Sequence, residues 1–155
     1  MRAISHTIEV QIASKRAGIP SERAFRKWLL AALPMSVELT LRVVNAAEGR
    51  NLNSAFRGKD YATNVLTFVY HEKKSPLLMG DIVLCAPVVA REAREQGKTL
   101  DAHYAHLTVH GALHLAGLDH EKALPAQTME RREIAILAAL GIANPYATDD
   151  GEPTF

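Results

Sequence analysis

The stretch HGALHLAGLDH, residues 110–120, places three histidines at the end of one predicted helix and in the turn that follows it. His110 and His114 are four residues apart, so they lie on one helical face with Cβ atoms about 5–6 Å apart. Gly117 permits the left-handed backbone that commonly ends a helix, and such a turn can bring His120 back to the same point. Three imidazoles arranged in this way leave the fourth position of a tetrahedral zinc ion open, as in catalytic zinc sites. We therefore predict one zinc ion held by His110, His114 and His120, in a site that other divalent transition metals also fit.

Position 111 distinguishes this stretch from the metalloproteases. Their pattern H-E-x-x-H carries a glutamate as general base directly after the first histidine, whereas this chain has Gly111. The difference argues against ordinary peptidase chemistry. A glycine inside a helix costs about 1 kcal/mol relative to alanine, which is consistent with a place where another backbone or a substrate approaches closely.

Three further residues near these histidines are candidates for other roles. His106 precedes His110 by one helical turn on the same face, and a fourth metal contact, a substrate contact or a buried histidine bonded to a neighbour all fit this place. We interpret it as a supporting residue of the site. His103 faces another direction and is expected to be solvated. Asp119 either receives the second N–H of a metal-bound imidazole, orients a water molecule or caps the turn, and the sequence favours none of these roles over the others.

The chain on both sides of this stretch alternates between strand and helix patterns. Four segments are typical of strands, namely ISHTIEVQIA (4–13), VELTLRVVN (37–45), VLTFVY (65–70) and DIVLCA (81–86). Four segments are typical of helices, namely IPSERAFRKWLLAAL (19–33), PVVAREAREQG (87–97), TLDAHYAHLTVHGALHLAG (99–117) and PAQTMERREIAILAALG (125–141). We interpret residues 47–58 as a short helix or turn and residues 71–80 as a polar loop. The pattern predicts the α+β class, with one small mixed sheet of about four strands packed with helices.

The bulk properties indicate a single soluble domain spanning residues 1–155. The length fits one domain, and the formal net charge of +1 gives no general preference for nucleic acid or membrane. Cys85 is the only cysteine, and no secretory leader or membrane-spanning run is evident, so we expect a cytoplasmic protein without a membrane partner. The tail NPYATDDGEPTF (144–155) is polar and is expected to be frayed, with residues from about 147 onwards flexible.

Several blocks of the chain resemble one family, the YbeY endoribonucleases, also called rRNA maturation factors. HGALHLAGLDH is similar to the family pattern H-G-x-L-H-L-x-G-[YH]-D-H. Three more blocks are similar in the family's order, and they are FRGKDYATNVLTF (56–68), GDIVLC (80–85) and MERREIAILAALGIANPY (129–146). Two departures, Leu118 for Tyr or His and Val69 for Pro, affect no proposed ligand.

The resemblance implies a zincin-like fold and a zinc-dependent endoribonuclease specific for single-stranded RNA. It implies a role in maturation of the 16S rRNA 3′ end and in ribosome quality control. The partners would be the 16S precursor and the small ribosomal subunit, with a ribosomal protein and an assembly GTPase as further partners, and not DNA. The family's ligands map onto His110, His114 and His120, and its functional arginine maps onto Arg57.

The candidate catalytic residues are Arg57 and His114, to which the resemblance points, and Asp119, which is a candidate from its place in the turn alone. Arg57 suits a phosphate, because a guanidinium offers paired donors that match phosphate geometry; the alternative is a surface salt bridge, for instance with Asp60. The general base stays open between Asp119, a second water molecule and the RNA 2′-hydroxyl. Basic residues that are each typical of a solvated surface would together give an RNA groove, and they are Lys59, Lys73, Lys74, Arg91, Arg94 and Lys98.

Two other functions compete with RNA cleavage. The first is a non-catalytic ribosome-assembly factor whose metal only stabilises the fold, an interpretation that the missing glutamate keeps open. The second is a metallopeptidase or another hydrolase, against which Gly111 argues.

Overall fold

The computed structural model describes residues 3–72, 75–117 and 126–147. These residues form four strands and five helices. The strands are β1 (His6–Ile12), β2 (Ser36–Val44), β3 (Val65–Val69) and β4 (Leu77–Cys85). The helices are α1 (Glu22–Ala32), α2 (Ala46–Arg57), α3 (Ala86–Glu95), α4 (Leu100–Leu115) and α5 (Ala126–Ala139). The predicted α+β class with one small mixed sheet is confirmed.

The four strands follow the order β1-β2-β4-β3 across the sheet. β1, β2 and β4 are parallel to one another, whereas β3 pairs antiparallel with β4. Parallel neighbours need a crossover connection, and α1 lies in the connection between β1 and β2. β3 is an edge strand, since no further strand of the described residues pairs with its outer side.

The two faces of the sheet carry different helices, because alternate residues of a strand point to opposite faces. The larger core lies under α1 and α4, where Leu39 and Ile82 of the sheet are buried with Phe25 and Leu113 of the helices. On the opposite face, Leu52 of α2 packs against a smaller core. The buried members of that core are Val44, Leu66, Val83, Cys85 and Val88.

Two elements differ from the sequence prediction. β4 begins at Leu77, four residues before the predicted Asp81, and residues 77–80 pair with residues 36–39 of β2. Gly80 interrupts the apolar pattern there, but no larger residue fits at this position of the strand. A Cβ at Gly80 would lie 2.3 Å from both the Phe68 carbonyl oxygen and Leu115 Cδ1. α2 is a full helix of 12 residues rather than a short helix or turn, and it ends at Gly58, whose φ of 68° is left-handed.

α4 is the central helix of the larger core and carries the predicted metal ligands. It begins after Thr99, whose side chain accepts a hydrogen bond of 3.1 Å from the Ala102 N–H. It is buried almost all round between α1, α5 and the sheet. Although α4 is strongly apolar, neither it nor another helix in the described ranges has the length and hydropathy to cross a membrane.

Candidate metal centre

His110 and His114 project from α4 towards a common point. Their Nε2 atoms are 2.9 Å apart, and both side chains are half-buried, so they stay accessible at the protein surface. Two nitrogens bound to one zinc ion at about 2.0–2.1 Å and a tetrahedral angle lie roughly 3.3 Å apart. The pair therefore fits a shared metal ion. His120, the third predicted ligand, lies outside the described residues and remains a prediction.

Glu133 of α5 is the main residue that sequence reasoning missed. Its side chain is fully buried, and one carboxylate oxygen accepts a hydrogen bond from His110 Nδ1. Donation from Nδ1 leaves the lone pair on His110 Nε2, the atom that faces His114. A carboxylate that holds the far nitrogen of a histidine is the usual outer support of a metal-bound imidazole.

Glu133 is charged in spite of its burial. Burial by itself raises the pKa of a carboxyl group, but the side chains of His106, His110 and Tyr146 lower the pKa of Glu133 to about 2. The Tyr146 hydroxyl donates to the second carboxylate oxygen. The carboxylate is therefore ionised at neutral pH and fixed at both oxygens.

His106 and Tyr146 complete this buried group. His106 Nε2 lies 3.1 Å from the Tyr146 hydroxyl, and the two rings pack edge to face at 5.2 Å between centroids. The supporting position predicted for His106 agrees with this contact. The prediction of a frayed tail from residue 144 is wrong at its start, because Tyr146 packs against α4 and α5. Residues 148–155 lie outside the described ranges.

His103 was expected to be solvated, and this expectation is wrong. Only 2% of the residue is exposed, and its Nε2 lies 2.9 Å from a carboxylate oxygen of Glu92 on α3. Asn64 donates to the same carboxylate at 3.0 Å. Burial lowers the pKa of His103, so it is neutral and donates to Glu92. The expectation failed because α3 folds back over the first half of α4.

Gly111 faces the sheet and not the two histidines. A Cβ at this position would lie 3.1 Å from Ile82 Cγ2 and 3.4 Å from Ile82 Cδ1. Gly111 thus lets α4 approach β4 closely, as its place in the helix suggested. A glutamate at position 111 would have to enter the core, so a protease-type base does not fit there.

Arg57 lies exposed at the C-terminal end of α2, a helix whose Leu52 packs on the smaller core. The alternative salt bridge with Asp60 does not form, since Asp60 accepts two hydrogen bonds from Arg50, at 2.8 and 2.9 Å. Within the described ranges Arg57 takes part in no ion pair. The neighbouring Phe56 packs on Phe68 of β3, with 5.3 Å between ring centroids. The end of α2 therefore lies beside the edge strand, and no hydrogen bond of the described residues joins Arg57 to the histidines.

Several predicted residues lie outside the described ranges, and the structure gives no position for them. They are Asp119 and His120 of the site, Leu118, and Lys73 and Lys74 of the predicted RNA groove.

Comparisons with known proteins point to one family. The sequence model described as Endoribonuclease YbeY matches residues 9–141. A protein named Endoribonuclease YbeY from Aromatoleum aromaticum is 60% identical over 135 residues, which cover 87% of this chain and 86% of that protein. One of the same name from Methylobacillus flagellatus is 55% identical over 142 residues, covering 92% and 94%. The solution structure of TM1509 from Thermotoga maritima is 25% identical, with a TM-score of 0.58 and coverage of 92% of this chain and 98% of that one.

Proposed function

The chain belongs to the endoribonuclease YbeY family, and we propose on this premise that the centre on α4 hydrolyses single-stranded RNA with one zinc ion. As a member of that family the chain is an enzyme that acts on RNA. The single observation that carries the metal proposal is the convergence of His110 and His114, with Nε2 atoms 2.9 Å apart. The buried Glu133 behind His110 supports the same assignment.

His110 and His114 would hold the metal through Nε2, with His120 as the third ligand. A zinc ion bound there supplies Lewis acidity, which lowers the pKa of a bound water to about 7 or polarises a phosphoryl oxygen. Glu133 keeps the Nδ1 proton of His110 in place, so the metal-facing nitrogen stays available. Glu133 can support His110 without a movement of α4, because its buried carboxylate already contacts both His110 and Tyr146.

Arg57 contributes positive charge for the phosphate. Its guanidinium is exposed and takes part in no ion pair of the described residues, so a phosphate need not displace a carboxylate from it. Position 111 supplies no general base, because glycine has no side chain and the position faces Ile82. Asp119, a second water molecule and the RNA 2′-hydroxyl remain the alternatives for the general base.

The physiological substrate that we propose is the precursor of 16S rRNA, cleaved near its 3′ end during ribosome maturation and quality control. The partners proposed with it are the small ribosomal subunit, a ribosomal protein and an assembly GTPase, in the cytoplasm. The names of the relatives support the RNA substrate, and the finer assignments follow from the family resemblance of residues 56–68 and 110–120.

The proposal is tested with purified protein and labelled single-stranded and duplex RNA. We expect His114→Ala to lose both bound zinc and cleavage, because it removes one of the two converging nitrogens. We expect Arg57→Glu to keep zinc and lose cleavage. Arg23→Glu is the matched control, because it makes the same charge change at an exposed position of α1, and should cleave like the wild type.

Two results would contradict the proposal. Full cleavage by the His114→Ala protein would show that a contaminating nuclease causes the activity. Hydrolysis of casein in place of RNA would show that the centre is a peptidase, although Gly111 packs where a peptidase of this pattern carries its base.

A further inference from the structure

A cleft beside the first half of α4 is separate from the two metal-facing nitrogens. It has a volume of about 760 Å³ and is lined by the turn after α3, by Asn64 before β3 and by residues 145–147. His106 and Tyr146, which support Glu133, form part of its wall. The cleft therefore begins one helical turn from His110, whose ring centroid lies 6.3 Å from that of His106.

The cleft, His110 and His114 follow one another along the axis of α4. Asn64, immediately before β3, reaches α4 near His103 through their shared partner Glu92. Near the end of β3, Phe68 lies beside Gly80, which in turn touches Leu115 at the end of α4. α4 and β3 therefore run in the same direction, and an extended polymer along α4 would pass the cleft and then His110 and His114.

The cleft carries two cations and two carboxylates, and neither cation forms a close ion pair among the described residues. Four charged side chains line it: Glu92, Arg94, Glu95 and Lys98. Glu92 is already bound by His103 and Asn64, and Glu95 lies 3.9 Å from Arg91. Among the described residues neither Arg94 nor Lys98 forms an ion pair within 4.0 Å.

Lys98 is the more constrained of these two cations. It is half-buried at the turn between α3 and α4, and burial lowers the pKa of its ammonium group although Glu92 raises it. A partly desolvated ammonium group without an ion-pair partner is stabilised when an anion binds beside it. Arg94 presents a planar set of donors to the same cleft.

We propose that this cleft is a subsite for the phosphate of a nucleotide next to the cleaved bond of single-stranded RNA, bound by Arg94 and Lys98. The inference rests on the proposed function and adds the position of the flanking strand. A phosphate suits the pair because arginine binds it with two parallel hydrogen bonds and lysine as a point charge. A cleft of this volume is within the range that holds a small organic ligand.

The test compares Lys98→Met and Arg94→Gln with Arg23→Gln in the zinc-loaded protein. Arg23 is the matched control, because it lies exposed on α1 and does not line the cleft. For each subsite variant we expect KM for a single-stranded RNA to rise about tenfold at low salt, since a charge-assisted hydrogen bond is lost. The slope of log kcat/KM against log salt should fall by about 0.7 per lost contact. Bound zinc should stay at the wild-type level, and Lys98→Arg should restore most of the affinity.

RNA substrates shortened from either end provide the second arm of the experiment. Once the RNA is too short to reach the cleft, wild type and Lys98→Met should have equal KM values, because the lost phosphate and the lost ammonium group are one interaction. If the wild type cleaves RNA but both subsite variants match Arg23→Gln at every length and salt concentration, the subsite is overturned. If the wild type cleaves no RNA, the proposed function itself fails, and the two failures are thus distinguished.

Discussion

At the scale of single residues, Glu133 connects α5 to the metal centre. Met129, Glu133 and Leu137 are spaced four residues apart and are all buried, so Glu133 lies in the middle of the core-facing side of α5. A charged residue at such a position requires partners, and this spacing is visible in the sequence. The partners themselves, His110 and Tyr146, are 23 and 13 residues away and depend on how α5 packs on α4.

Glu133→Gln tests this connection at the metal. The variant keeps the size of the side chain but removes the charge that fixes the proton on His110 Nδ1. We expect zinc affinity, measured by competition with a chromogenic chelator, to fall about 10- to 100-fold, as is usual when the outer partner of a metal-binding histidine is lost. Glu130→Gln on the same helix is the control, since Glu130 forms no hydrogen bond to the histidines in the described structure. Equal zinc affinity in the two variants would show that Glu133 serves packing alone.

At the scale of elements, the close contact of α4 with β4 determines how the histidines are presented. Gly80 and Gly111 are both required by this contact, one beside Leu115 and the other beside Ile82. A glycine inside a helix or a strand weakens the local sequence pattern, so the sequence alone indicates fewer helical and strand residues than the structure has. Gly80 is the reason why β4 was predicted to start at Asp81 and not at Leu77.

Gly111→Ala measures the tightness of that contact. Alanine favours the helix by about 1 kcal/mol, but its Cβ would press on Ile82 at 3.1 Å, and overpacking a core costs about 1–3 kcal/mol. We expect a net loss of about 1 kcal/mol in the free energy of unfolding, measured by urea denaturation. Combining it with Ile82→Ala should cost less than the sum of the two single changes, because the new methyl group fills part of the cavity. Strict additivity would contradict the contact.

The elements also show which parts of the site a linear pattern can reveal. The convergence of His110 and His114 was predictable because both residues lie on one helix with a fixed geometry. His103 was misjudged because its solvation depends on α3, which packs over it through Glu92. The cleft at Arg94 and Lys98 likewise arises from three separate parts of the chain. Contacts between elements are thus the part of the site that the sequence does not specify locally.

At the scale of the whole molecule, the main core is apolar and the histidine pair lies at its border. The buried cluster between α1, α4 and the sheet consists of apolar side chains, and the ring nitrogens of His110 and His114 lie at its border. The α+β class and the strand count followed from the spacing of the apolar residues, because each strand or helix repeats its buried residues at its own period. The strand order did not follow, because the placement of β4 between β2 and β3 leaves no signature in local spacing.

Removal of the metal distinguishes an enzyme from a protein whose metal only stabilises the fold. We expect chelation to abolish RNA cleavage while a cooperative melting transition remains, with Tm lowered only by the loss of bound ligand. Zinc addition should restore both properties. His114→Ala provides the control, since its Tm should not respond to the chelator. Complete unfolding of the wild type on chelation would instead favour the non-catalytic assembly factor.

The buried group formed by Glu133, His106 and Tyr146 also has a consequence for the order of events during translation. A chain emerges from its N-terminus, so the sheet and α4 are made before the carboxylate that orients His110. The hydroxyl that fixes this carboxylate follows 13 residues later. A nascent chain therefore carries both converging histidines before it carries their support. The group formed by His110, Glu133 and Tyr146 is therefore complete only after residue 146 has been synthesised.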